Sequence, residues 1–152
     1  MRFIITSTTD DQGATTDDQA SNAAAPMSDE LFKAYMKYNE DLHRAGVLVA
    51  SEGLLPTAKT VRVVASRGKR VVVDGPYAEA KELVGGFYIV DVASLEEAQA
   101  WAVRCPVGMA SANVLTIRQL TGAEDIPQQY LDLAASVAPQ WTASLLKQKA
   151  PR

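Results

Sequence analysis

The stretch DGPYAEAKELVGGFYIVDV, Asp74 to Val92, decides how this chain is read. Asp74, Gly75 and Pro76 spell a turn. Glu79, Lys81 and Glu82 alternate in charge, and Gly85 and Gly86 stand as a pair. The run that follows is apolar and β-branched, which predicts a strand over residues 86–92. Just upstream, Thr60–Ala65 and Arg70–Val73 flank the tight turn Arg67-Gly68-Lys69, the pattern of a β-hairpin. Just downstream, Ser94 and Glu97 have the spacing of a capping box. The helix they open carries Leu95, Ala98, Ala102 and Cys105 on one face and ends at Pro106. Val114–Leu120 reads as the last core strand.

Toward the N-terminus, Arg2–Thr6 is a short β-forming run. Residues 7–26, STTDDQGATTDDQASNAAAP, repeat TTDDQ and hold no large apolar side chain. Such a segment gains too little from burial to offset its ordering entropy, so a flexible insertion is expected, with a lid as the functional alternative. Ser28 caps a first helix whose first turn is acidic, Asp29 and Glu30, and Met27 is placed to staple against Phe32. Leu31, Tyr35, Tyr38, Leu42 and Ala45 form its apolar stripe, Phe32 and Met36 widen it, and Gly46 stops it. Val47–Ala50 and Leu54–Leu55 are short extended pieces.

The order is strand, helix, hairpin and strand, helix, strand. That predicts an α+β fold, the ferredoxin-like split βαβ arrangement with an antiparallel sheet. Two helices cover one face of such a sheet. Yet Val61, Val63 and Ala65 alternate with Val64, and Phe87 and Ile89 with Tyr88 and Val90, so both faces are apolar. A sheet of that kind needs a second cover, and the same sheet of another subunit supplies one. A homodimeric α+β barrel is therefore expected, with a domain over residues 1–122. Residues 123–152 form a C-terminal helical extension: Asp125-Ile126-Pro127 opens a helix, and Pro139 interrupts its stripe. The extension packs on its own subunit or on the partner, with the partner favoured.

Composition excludes several classes. Fifteen basic against eighteen acidic residues, a net charge of −3, provide no basic patch for nucleic acid. No apolar run reaches the roughly 20 residues of a membrane span. The start, MRFIITSTT, lacks the apolar region of about 7–15 residues that a secretory signal needs, so a cytoplasmic protein is expected. One cysteine, Cys105, and one histidine, His43, leave no internal disulfide and no expected metal site. The glycine pair fails the context of a phosphate loop, because a strand follows it and no helix. No cofactor is expected.

Taken together, DGPY-AE-KE-GG, AGVLVASEGLLP (Ala45–Pro56), Thr60–Arg62 and SLEEAQAWAVRCP (Ser94–Pro106) resemble the YCII-related family, in its DGPF-type branch. The resemblance implies the dimeric α+β barrel. Tyr77 stands where Phe is commoner in that branch, which adds a hydroxyl. Some YCII-type proteins carry a His on the first helix, proposed to form a dyad with a later Asp. The corresponding place here falls near Tyr35, so that dyad is not carried over.

Asp74, at a strand end beside a turn, is the first candidate for a catalytic carboxylate, with Glu79 second. Capping of the Gly75-Pro76 turn explains Asp74 equally simply. Arg62 suits an anionic or phenolic ligand, or an ion pair with Asp74, Glu79 or Glu82. Tyr35, Tyr77 and Lys81 complete the candidate ligand-binding set, beside core packing for Tyr35 and a solvated charge run for Glu79, Lys81 and Glu82. Two functions remain open. One is a small-molecule-binding or accessory module, which the DGPF resemblance links to extracytoplasmic-function sigma factors. The other is a cofactor-independent enzyme, with isomerase or lyase chemistry on a small anionic or phenolic substrate. Muconolactone isomerases and a YCII-like dehydrochlorinase show that related folds host such reactions.

Overall fold

A computed structural model of the chain describes residues 1–10, 28–54, 61–74, 82–106 and 113–147. Four antiparallel strands form the central sheet in the order β2 (Leu48–Gly53), β5 (Glu82–Asp91), β1 (Arg2–Asp10), β6 (Asn113–Gln119). Helices α1 (Asp29–Arg44) and α2 (Leu95–Val103) make the two crossovers, so the fold is α+β and ferredoxin-like, as the element order predicts.

β1 and β5 occupy the middle of the sheet, and their side chains alternate accordingly. Phe3 and Ile5 of β1 and Tyr88 and Val90 of β5 are buried with Tyr38 and Leu42 of α1 and Ala98, Ala102 and Cys105 beside them. The other side of the same strands carries Ile4, Phe87 and Ile89, each half-buried. Both sheet faces are thus apolar in the two central strands.

Local signals act where they are expected. The Ser28 hydroxyl accepts from Leu31 N–H at 3.2 Å and opens α1. At its other end Gly46 adopts φ 70°, and Val47 N–H reaches back to the Leu42 carbonyl, closing the helix. Ser94 accepts from Glu97 N–H at 3.3 Å, while the Glu97 carboxylate accepts from Ala93 N–H at 2.9 Å. The two helices are tied by Tyr38, whose hydroxyl donates to the Trp101 carbonyl at 2.9 Å and whose ring meets Tyr88 edge-on. Arg104 adds a second tie, bonding Asp41 at 2.9 Å while lying over the Trp101 ring.

Three expectations are corrected. The strand predicted over 60–65 is real as β3 (Val61–Ser66), but with β4 (Lys69–Asp74) it forms a separate two-stranded sheet. The edge of the central sheet beside β5 is instead β2, which extends the first of the short pieces after Gly46 through Glu52-Gly53, while Leu54 follows the strand and Leu55 lies outside the described residues. β1 also runs to Asp10, into the segment expected to be flexible from Ser7. There Thr8 and Thr9 find ladder partners on both sides, in β5 and β6. Likewise β5 begins at Glu82, so Gly85 and Gly86 lie inside the strand rather than opening it. Residues 11–27, including Met27, lie outside the described residues.

After β6 a 3₁₀ turn at Ala123–Asp125 leads through Pro127 into α3 (Gln128–Val137). Pro139 does more than interrupt this helix: it is the first residue of α4 (Pro139–Lys147), where a missing N–H is harmless. None of the helices described is long and apolar enough to cross a membrane.

Candidate functional site

On α1, Phe32, Tyr35, Met36 and Asn39 recur at spacings of three and four residues, so they share one helical face beside the core stripe. This face fronts a cavity of about 400 Å³ that the sheet closes from the other side. Ile5 and Ser7 of β1, Ser51–Gly53 of β2, Gly85–Tyr88 of β5 and Leu115 of β6 complete the lining. The walls are mainly aromatic and aliphatic, with a few polar groups, the usual make-up of a small-molecule pocket.

The polar groups differ in what they offer. Tyr88 is buried, and that burial, reinforced by nearby Cys105, raises its hydroxyl from 10.0 to about 12 against a hydrogen bond with Ser51. Burial also pushes the Tyr35 hydroxyl upward, again with Cys105 adding to the shift. Both phenols therefore stay protonated near neutral pH and act as hydrogen-bonding groups rather than bases. Asn39 Oδ1 is buried and has no hydrogen-bond partner among the described residues. An unmet buried amide oxygen is disfavoured by about 1–3 kcal/mol, so its presence on a cavity wall marks a place where a partner would be welcome. Glu52, exposed, is the charged residue among the described lining.

Of the residues singled out in the sequence, Tyr35 lines this cavity. Arg62 does not: it stands exposed in the β3–β4 hairpin, opposite Val73. Asp74 is the last residue of β4, its backbone opposite Val61, which agrees with its expected place at a strand end. Tyr77, Glu79 and Lys81 lie outside the described residues. His43 is exposed, and Cys105 is buried in the core. Among the described residues no three His, Cys, Asp or Glu side chains gather closely enough to hold a metal ion.

Asn39, Ser51, Glu52 and Tyr88 were missed by sequence reasoning. For Asn39 a signal existed, since it is the polar member of a stripe that starts Phe32, Tyr35, Met36. For the residues of β2 none did, because their place depends on which strand takes the sheet edge.

Comparison with known proteins gives two findings. The family described as the YCII-related domain matches residues 1–121. An uncharacterized protein of Rhizobium meliloti (strain 1021) is 37% identical over 91 residues, covering 57% of this chain and 70% of that protein.

Proposed function

This chain belongs to the YCII-related family, and from that premise we propose that it is a small-molecule-binding module whose ligand lies between α1 and the sheet. The observation that carries the reading is the cavity itself, walled by one helical face and by four strands. Its volume of about 400 Å³ falls within the range of ligand sites. The described lining offers phenols, an amide, a serine pair and one carboxylate, a set suited to holding and orienting rather than to proton abstraction. Of the anionic and phenolic ligands that the sequence suggests, the lining favours the phenolic kind, because Glu52 opposes an anion.

The working unit in this reading is a cytoplasmic homodimer. An accessory role beside extracytoplasmic-function sigma factors is proposed with it, on the strength of the DGPF-type stretch at Asp74–Gly86.

Amide NMR with a fragment set of phenols and aryl carboxylates tests the reading. Binding should shift resonances of residues 32–39 and 85–88 together, with phenols prevailing. Hits that leave these residues unmoved, or no hits at all, would count against the cavity as the site.

A further inference from the structure

The paired glycines of the Asp74–Gly86 stretch are there for two different reasons. Gly86 sits opposite Gly53 on β2, and a Cβ placed on it would lie 2.8 Å from the Glu52 carbonyl oxygen. Close approach of two backbones therefore demands glycine at 86. Gly85 has no such neighbour: nothing among the described residues lies within 4 Å of a Cβ placed there.

The backbone does not demand glycine at 85 either. Ser7 pairs with Gly86 and Thr8 with Val84, so Gly85 is the extra residue of a β-bulge. The bulge type that requires glycine holds it at positive φ. Among the described residues positive φ occurs at Gly46, Arg67 and Gly68, not at Gly85. Gly53 is in the same position, with ordinary φ and open space around its Cβ direction. Glycine weakens a strand interior, and one role that leaves its Cβ direction open among the described residues is to let a ligand approach the backbone closely. Both glycines line the cavity, and Leu54 N–H donates to the Gly85 carbonyl at 2.9 Å, which holds the two segments side by side.

We propose that Gly53 and Gly85 form the threshold of the cavity, over which a flat, largely apolar ligand enters and against whose bare backbone it rests, so that the side chain at 85 sets the size admitted. The proposal rests on reading the cavity as a small-molecule site. The flat apolar class follows from Phe32, Tyr35, Met36 and Leu115 on the walls.

The experiment is a fluorescence titration of the full chain with N-phenyl-1-naphthylamine, an uncharged flat probe that brightens in apolar surroundings. Toluene, followed by NMR, serves as the small comparison. Wild type should bind both. Gly85→Leu should weaken the naphthylamine by about tenfold or more, the scale of size discrimination in apolar pockets, while toluene still enters. Gly53→Leu should act in the same direction, and Gly85→Ala should weaken the probe a few-fold without lowering the melting temperature. Gly86→Ala, by contrast, should lower the melting temperature.

Equal naphthylamine affinity in wild type and Gly85→Leu would overturn the threshold and leave the cavity standing. If Gly85→Ala melts as low as Gly86→Ala, glycine at 85 is structural and the proposal falls. If Gly85→Leu does not fold, the alanine variant decides, and unchanged affinity there overturns the proposal. Failure of wild type to bind either probe removes the cavity reading, and the threshold with it.

Discussion

The central sheet and the β3–β4 hairpin are written in similar valine-rich, strand-forming sequence, yet the molecule treats them in opposite ways. In the sheet Val90 is fully buried, whereas in the hairpin Val72 is 63% exposed. The hairpin's exposed valines lie on both faces, Val61, Val63 and Val72 on one and Val64, Val71 and Val73 on the other. An isolated two-stranded hairpin is at best marginal in water, and an apolar one is also an aggregation hazard. Strand sequence thus specifies extension, while burial depends on what the chain places above and below. The sheet has α1 and α2; the hairpin has no cover among the described residues. The proposed homodimer would provide it, and the exposed Leu133, Val137 and Trp141 of α3 and α4 offer further apolar surface for the same purpose.

The sharpest way to separate the two regions is to remove side-chain volume from each. Leu42 is fully buried under the sheet, so Leu42→Ala should destabilise by about 2–5 kcal/mol in chemical denaturation. If the hairpin stays bare in solution, Val72→Ala changes stability by less than about 0.5 kcal/mol, as surface substitutions do, whereas cover by a second copy makes the loss larger. A Val72 loss approaching that of Leu42 would show that the hairpin is buried in solution.

Charge provides the next test. Val63 and Val72 are paired on one hairpin face, so Val63→Lys with Val72→Lys places two cations where a partner would sit. Light scattering of wild type should give twice the chain mass of 16.3 kDa, and the double variant should fall to the monomer while keeping the far-ultraviolet spectrum of the folded sheet. A wild type that is already monomeric at micromolar concentration would break the argument that the hairpin is covered by a second copy.

How far the sequence carried the reading follows the same division. Elements whose signals are local were legible: the Ser28 and Ser94 caps, the Gly46 stop, the Arg67-Gly68 turn and the apolar run of β5. Their determinants lie within a few residues of each other, so no partner has to be known. The sheet order was legible as a class but not strand by strand. Residues 47–50 and 60–65 are both β-like, and only the tertiary fold gives the β5 edge to β2 rather than to β3. The site suffered from that same ambiguity. Helical spacing put Tyr35 on the apolar stripe and the family resemblance made it a site candidate, but Ser51 and Glu52 reach the cavity only because β2 is the edge strand. Arg62 lies elsewhere because its strand left the sheet. The glycine pair was visible in sequence, but the distinct tasks of Gly85 and Gly86 depend on bulge geometry.

Alkaline pH should act on the packed region selectively. Tyr88 is raised by burial from 10.0 to about 12, and Tyr38 is raised further by the same cause. In the unfolded chain these phenols ionise near 10, while in the folded protein they hold their protons longer. The unfolded state therefore binds fewer protons in the interval, and stability falls as pH rises from about 10 through 12. Below pH 10 their contribution is complete. Denaturant midpoints measured from pH 9 to 12 should decline, and Tyr88→Phe should decline less steeply because one ionisable group is gone. Identical slopes for variant and wild type would mean that Tyr88 titrates as an exposed phenol.

The smallest expected effect lies at the hairpin tip, and it tests whether the two regions unfold together. Arg67 and Gly68 adopt φ 49° and 78°, so both central residues of the turn are left-handed, as two-residue hairpins prefer. Gly68 does so freely; Arg67, with a Cβ, is strained, and asparagine tolerates that conformation better. Arg67→Asn should thus stabilise the hairpin, by less than about 1 kcal/mol. Whether this appears in global unfolding depends on coupling. If a partner clamps the hairpin to the folded unit, the gain raises the melting temperature of the whole protein by a few degrees. If the hairpin opens by itself, the gain is confined to local hydrogen exchange at residues 62–73, and global melting is unchanged. A covered hairpin requires the first result. The second, in a protein that is nonetheless dimeric, would place the dimer contact on another surface, with the open face of the central sheet as the next to test.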